Sequence, residues 1–247
     1  MKLSDGAPQE SDHMKPDHTV KSFDEELLAM DNRLAEMGGL AESLLDDAVN
    51  ALVHRNPEMA SEIAHRDRAI DALEDEINEL VVRLLALRQP MAEDLRVVIS
   101  ALKISSDLER IGDYAKNVAK RVPAIVDLSP TTPLSTIARM GALVQQMIRN
   151  VLDAYLARDG AKAKDVRNQD EQVDLLHTSL FRELLTYMME DPRWITACTH
   201  LMFVAKNLER IGDHATNIAE SVVFLVEGEA PTDQRPKGDT TTTTTIR

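Results

Sequence analysis

A chain of 247 residues with 43% hydrophobic content can bury the core of one domain or of two small ones. With only 3% aromatic residues and an abundance of Leu, Ala, Met, Glu and Arg, it favours helices over sheets. The 42 acidic against 28 basic residues give a formal charge of −14, a field that repels nucleic acid and anionic lipid and draws in cations and basic protein surfaces. The single Cys198 excludes an intramolecular disulfide and any cysteine-cluster metal site, and no run of about 18 apolar residues or signal-peptide pattern is present, so a soluble, cytoplasmic protein without membrane insertion is expected.

Residues 1–19 mix Asp, Glu, Pro, His and Ser without periodicity and read as a disordered tail. Punctuation then falls at Asn56-Pro57, Gln89-Pro90, Ser129-Pro130-Thr131-Thr132-Pro133, Asp159-Gly160 and Asp191-Pro192. Proline just inside a helix start, behind a capping Asn, Asp or Thr, predicts six helices over 21–55, 57–88, 91–127, 133–158, 161–190 and 192–227. Residues 228–247, with their threonine run from Thr240 to Thr245, read as a second disordered, low-complexity tail. The longest connection, near residue 130, divides a first unit, 20–128, from a second, 132–227.

Along the third helix, Ala101, Ile104, Leu108, Ile111, Ala115, Val118, Val122 and Ile125 alternate at three and four residues. Leu201, Val204, Leu208, Ile211, Ala215, Ile218, Val222 and Leu225 repeat the pattern 100 positions later. A 3.5-residue spacing held over several turns is the seam of a helical bundle. Cys198, one step before Leu201 on that seam, reads as a core thiol. Identity extends past the seam: Leu108-Glu109-Arg110-Ile111-Gly112-Asp113 recurs as Leu208-Glu209-Arg210-Ile211-Gly212-Asp213, with Asn117 answered by Asn217. Upstream, Asp67 and Asp71 match Asp170 and Asp174 at an offset of 103. Internal duplication accounts for both, so the fold expected is all-α, two pseudo-symmetric antiparallel three-helix bundles.

Each repeated acid pair is one helical turn apart, roughly 6 Å, on a single face. Measured from their own apolar stripes, Glu109 and Asp113 point outward at roughly 140° and 180°, and Asp67 and Asp71 lie near the rim at about 90° and 130°. Positions equidistant from an antiparallel turn lie level with each other. Asp71 and Glu109 are each 19 residues from Pro90, and Asp67 and Asp113 are each 23 away. Asp174 with Glu209 and Asp170 with Asp213 are centred alike on Asp191-Pro192. Two quartets of carboxylates in surface grooves result, suited to magnesium, calcium, manganese, iron or zinc. Glu74, His177, Asn117 and Asn217 are candidates for a further ligand, His177 favouring a transition metal in the second unit. Set against this, acids on outer helix faces commonly just solvate, and Arg110 or Arg210 can pair with the acid three residues on.

No phosphate-cradling glycine loop, nucleophile elbow or zinc-protease helix is present. Gly112 and Gly212 each cost a helix about 1 kcal/mol relative to Ala; close approach of a neighbouring helix or of a ligand would explain them, with helix packing the favoured cause. Glu62-x-x-His65 resembles half of a di-iron motif but lacks a counterpart in the second unit. A carboxylate-bridged metalloenzyme or metal-storage bundle and a purely structural scaffold remain as alternatives to a non-enzymatic regulator.

The stretch Gln89-Pro90-Met91-Ala92-Glu93-Asp94-Leu95-Arg96, then Ala101-Leu102-Lys103 and Asp107 through Ala119, with Asn207 to Ala219 as a second copy, resembles the PhoU family of phosphate-uptake regulators over about residues 20–227. The resemblance implies a bacterial accessory protein that restrains the high-affinity phosphate ABC transporter and keeps its phosphate-sensing histidine kinase quiet when phosphate is plentiful. It would bind both at the cytoplasmic membrane face. It also implies two three-helix bundles, a homodimer or higher oligomer, and iron, zinc, magnesium or manganese at Asp67, Asp71, Glu109 and Asp113 and at Asp170, Asp174, Glu209 and Asp213.

Overall fold

A computed structural model describes residues 16–127 and 134–231, which form six α-helices and no strand. The rest of the expected tails and the Pro-Thr connection lie outside the described residues. The helices are α1 (Pro16–Val53), α2 (Pro57–Arg88), α3 (Glu93–Ala119), α4 (Leu134–Ala157), α5 (Gly160–Glu190) and α6 (Ile195–Glu227). Helix α1 begins five residues before the expected start, inside what reads as tail. Helix α3 stops eight residues short of the expected end, and Val122–Ile125 form a 3-10 turn instead. Pro123 is the physical reason: it has no N–H to donate and disfavours helical backbone in the residue before it. The 3-10 turn still returns Val122 and Ile125 to the core.

The duplication extends to the backbone of the turns. Arg55 and Arg158 both adopt left-handed backbone, at φ 53° and 52°. The next N–H reaches back five residues in each case, Asn56 to the Ala51 carbonyl at 2.8 Å and Asp159 to that of Ala154 at 2.9 Å. Each of these residues then caps the following helix. Asn56 Oδ1 accepts from the N–H of Glu58 at 3.0 Å and of Met59 at 3.1 Å, and Asp159 Oδ1 accepts from that of Lys162 at 3.0 Å. A left-handed C-cap followed at once by an Asx N-cap folds consecutive helices back on each other.

Helices α1–α3 pack together, as do α4–α6, and the two sets join through α3 against α6 and α1 against α4. Every seam residue expected on the third and sixth helices is buried, as is Cys198. No helix among the described residues is long and apolar enough to cross a membrane.

Helices α3 and α6 run antiparallel. The Lys103 ammonium lies 5.6 Å from the Phe224 ring centre near one end, and the Arg121 guanidinium 4.6 Å from that of Phe203 near the other. Between them Asp107 pairs with His214 Nδ1 at 2.8 Å and accepts from Asn217 Nδ2 at 3.3 Å. This contact is one-sided, because the duplicated positions hold Asn207 and Tyr114. Helices α1 and α4 close on each other through Gly38, which faces Leu152, and Gly141, which faces Val49. Both pairs keep the offset of 103, so this contact obeys the same pseudo-two-fold relation. Asp31 adds a link between these helices, accepting from the buried Tyr155 hydroxyl and from Arg158 Nη2 at 2.8 Å.

Two acidic clusters as candidate functional sites

Helix α2 presents Asp67, Asp71 and Glu74, and α3 presents Glu109 and Asp113. The antiparallel turn between Arg88 and Glu93 sets them level, so that Asp71 lies within the fields of Asp67 and Asp113, and Glu109 within those of Asp113, Glu74 and Asp71. Burial, then the charge of Asp67, push the Asp71 carboxyl above its ordinary range. Burial and Asp113 do the same for Glu109, and burial and Asp75 for Glu74, with Arg110 opposing both of these last shifts. Arg110 Nη1 reaches Asp113 at 3.6 Å, the pairing anticipated from the i,i+3 spacing, and its Nε also reaches the adjacent Glu109 at 3.4 Å.

The first cluster holds a charge that the spacing argument did not include. Lys116, three residues beyond Asp113, donates to Asp113 Oδ1 at 2.6 Å and also to Asp67 Oδ2 across the helix pair. Asp67 itself is only 2% exposed, with Oδ1 over Gly112. Burial alone would lower the Lys116 pKa, but hydrogen bonds to Asp113 and Asp67 outweigh it and raise it well above the ordinary lysine value.

In the second half, α5 carries Asp170, Asp174 and His177, all buried, and α6, packed against it, carries Glu209 and Asp213. Asp170 and Glu209 are 3% and 7% exposed. Asp170 Oδ1 lies over Gly212 as Asp67 lies over Gly112. Lys206 donates to Glu209 Oε1 at 2.6 Å, while Glu209 Oε2 is buried with no hydrogen-bond partner. Thr216, the duplicate of Lys116, turns its hydroxyl back to the Gly212 carbonyl at 2.9 Å. The buried Arg167, whose Nε donates to Glu220 at 3.3 Å, adds a cation to this half.

The expected outward-facing grooves are therefore partly interior: Asp67, Asp170, Asp174, His177 and Glu209 are buried, and Asp71 alone of the eight acids is exposed. Asn217 faces Asp107 across the α3/α6 contact, and Asn117 Oδ1 accepts from Lys120 at 3.5 Å. Among the described residues, no three His, Cys, Asp or Glu side chains converge closely enough to hold a metal ion as they stand. The donor chemistry separates the two halves. In the second, Glu209 keeps one buried carboxylate oxygen without a hydrogen-bond partner. In the first, an ammonium already spans Asp67 and Asp113.

A duplicated six-helix bundle with an acidic cluster between the second and third helix of each half is the class of protein that fold and site define. The PhoU domain matches residues 34–122 and 137–222, and the chain belongs to the PhoU family. A phosphate-specific transport system accessory protein PhoU homolog of Zymomonas mobilis is 54% identical over 212 residues, covering 86% of this chain and 90% of that protein. One so named from Caulobacter vibrioides is 52% identical, covering 90% and 97%. The crystal structure of PhoU from Pseudomonas aeruginosa superposes with a TM-score of 0.81 at 42% identity, covering 84% of this chain and all of that one. That of the phosphate transport system regulatory protein PhoU from Streptococcus pneumoniae gives 0.79 at 32% identity, covering 85% and 99%. These relatives are named as accessory and regulatory proteins, not as enzymes.

Proposed function

We propose that the chain is a cytoplasmic negative regulator of high-affinity phosphate uptake and of the phosphate-starvation two-component response. It works as an adaptor between the phosphate ABC transporter and its sensor histidine kinase, and as a homodimer or higher oligomer. The observation that carries this reading is the doubled Leu-Glu-Arg-Ile-Gly-Asp signature, set at corresponding places in both halves of a bundle that lacks catalytic motifs. The names of relatives above 50% identity support the phosphate-transport part. Deleting the gene should leave transporter expression high in phosphate-rich medium. Expression that stays fully phosphate-repressed would sink the regulatory reading. Pull-down from membranes grown at high and low phosphate should recover transporter and kinase together, and light scattering should report a dimer or larger.

Metal binding forms part of the same reading. Asp170, Asp174, Glu209 and Asp213, with His177, would hold a divalent or trivalent ion such as iron, zinc, magnesium or manganese, whose charge would neutralise the buried carboxylates between α5 and α6. The unpartnered Glu209 Oε2 is the observation behind it. Elemental analysis should find metal in the purified chain and less of it in D170N/E209Q; a metal-free wild type would remove this part of the proposal.

A further inference from the structure

Lys116 occupies the place in the first cluster where two helices bring carboxylates to a common point. Asp67 comes from α2 and Asp113 from α3, and one ammonium donates to both. Asp67 cannot swing aside easily: it is 2% exposed, and a Cβ built on Gly112 would lie 3.0 Å from its Oδ1. The buried carboxylate therefore has one face against the glycine and the other on Lys116. The duplicate position is Thr216, committed to its own helix, so this lysine is a feature of the first half alone.

We propose that Lys116 is the resident cation of the first acidic cluster, a tethered ammonium that takes the Asp67–Asp113 position from a divalent ion and makes the two halves unequal in metal affinity. The inference rests on the reading that the acidic clusters bind metal. An ion entering the first cluster must displace two charge-assisted hydrogen bonds and leave an ammonium beside itself, and both effects oppose binding. The ammonium is held between carboxylates of two helices, Asp67 on α2 and Asp113 on α3, and so ties the pair together by itself. The first half is thus assembled whether or not metal is supplied.

Calorimetric titration of the full chain with Mn²⁺, paired with thermal unfolding with and without Mn²⁺, tests this. The D170N/E209Q background silences the second cluster so that the first is read alone. In that background Mn²⁺ should bind weakly, and adding K116T should tighten binding by on the order of tenfold or more. K116T alone should lower the metal-free melting temperature, because Asp67 loses its partner, and Mn²⁺ should restore it. K116R, which keeps the charge, should leave the cluster closed. Should K116T fold poorly, K116T/D67N removes the buried charge that needs a partner and should recover the melting temperature without metal. Equal Mn²⁺ affinity in D170N/E209Q with and without K116T would overturn the inference while leaving metal binding intact. No Mn²⁺ binding by the wild type or any variant would overturn the metal reading and the inference with it.

Discussion

A Cβ added to Gly112 would meet Ile70 Cδ1 at 2.9 Å and Asp67 Oδ1 at 3.0 Å, whereas at Gly212 the nearest atoms, Asp170 Oδ1 and Val173 Cγ1, lie 3.3 and 3.5 Å away. G112A sets overpacking of about 1–3 kcal/mol against about 1 kcal/mol of helix propensity, and should come out destabilised by up to about 2 kcal/mol. G212A should be close to neutral, and thermal unfolding of both variants measures the contrast. Asp71 supplies a pH test. Its folded pKa is raised above the ordinary value of 3.8, so the native state binds this proton more tightly than the unfolded chain does, and the ionised group opposes folding. D71N should therefore be more stable than wild type at neutral pH, by less than about 1 kcal/mol since solvent screens the site. The gap should close as the pH falls through the raised pKa towards 3.8 and vanish below it. The level placement of these acids was legible from their distances to the turns. Their burial was not, because an angle measured from one helix's own stripe ignores the neighbouring helix that covers the rim. Lys116 escaped for a related reason: its long side chain closes across to α2, a contact no single-helix spacing contains.

Helix boundaries follow proline and Asx punctuation closely, since these residues act locally through missing donors, fixed φ and capping oxygens. The departures occur where a local signal competes with a periodic one. The seam of α3 runs on to Ile125, yet Pro123 breaks the helix and the apolar residues reach the core by a tighter turn. The start of α3 moves to Glu93 because Ala92 takes φ 50°, a conformation nothing in the residue type announces. Gly38 and Gly141 were invisible in another way. Their meaning lies in Leu152 and Val49 on the opposite half, and pairing between α1 and α4 cannot be read from either helix. A Cβ on Gly38 would lie 2.6 Å from Leu152 Cδ1, and one on Gly141 would lie 2.8 Å from Val49 Cγ2. G38A and G141A should each cost about 1–3 kcal/mol in denaturant unfolding, with G38A the larger.

The two halves meet face to face, each presenting to the other what the other presents to it, and one-sided contacts such as Asp107 with His214 are drawn on that shared plan. A fragment ending before the Pro-Thr connection, residues 16–127, keeps its own bundle and loses the surface that covers α1 and α3. By the pseudo-two-fold relation a second copy of the fragment presents a near-equivalent surface. Asp107 would meet Asn117 and Tyr114 in place of Asn217 and His214, and Gly38 would receive Val49 in place of the larger Leu152. The fragment should sediment as a weak dimer that the smaller Val49 leaves incompletely packed, and V49L should tighten it.

Covalent connection of two such halves turns their docking into an intramolecular event at an effective concentration in the millimolar range. Once that concentration is supplied by the chain itself, neither half has to remain a good partner for its own twin. The contact surfaces are then free to diverge, and a two-fold ancestor's single kind of acidic cluster can become two kinds within one polypeptide.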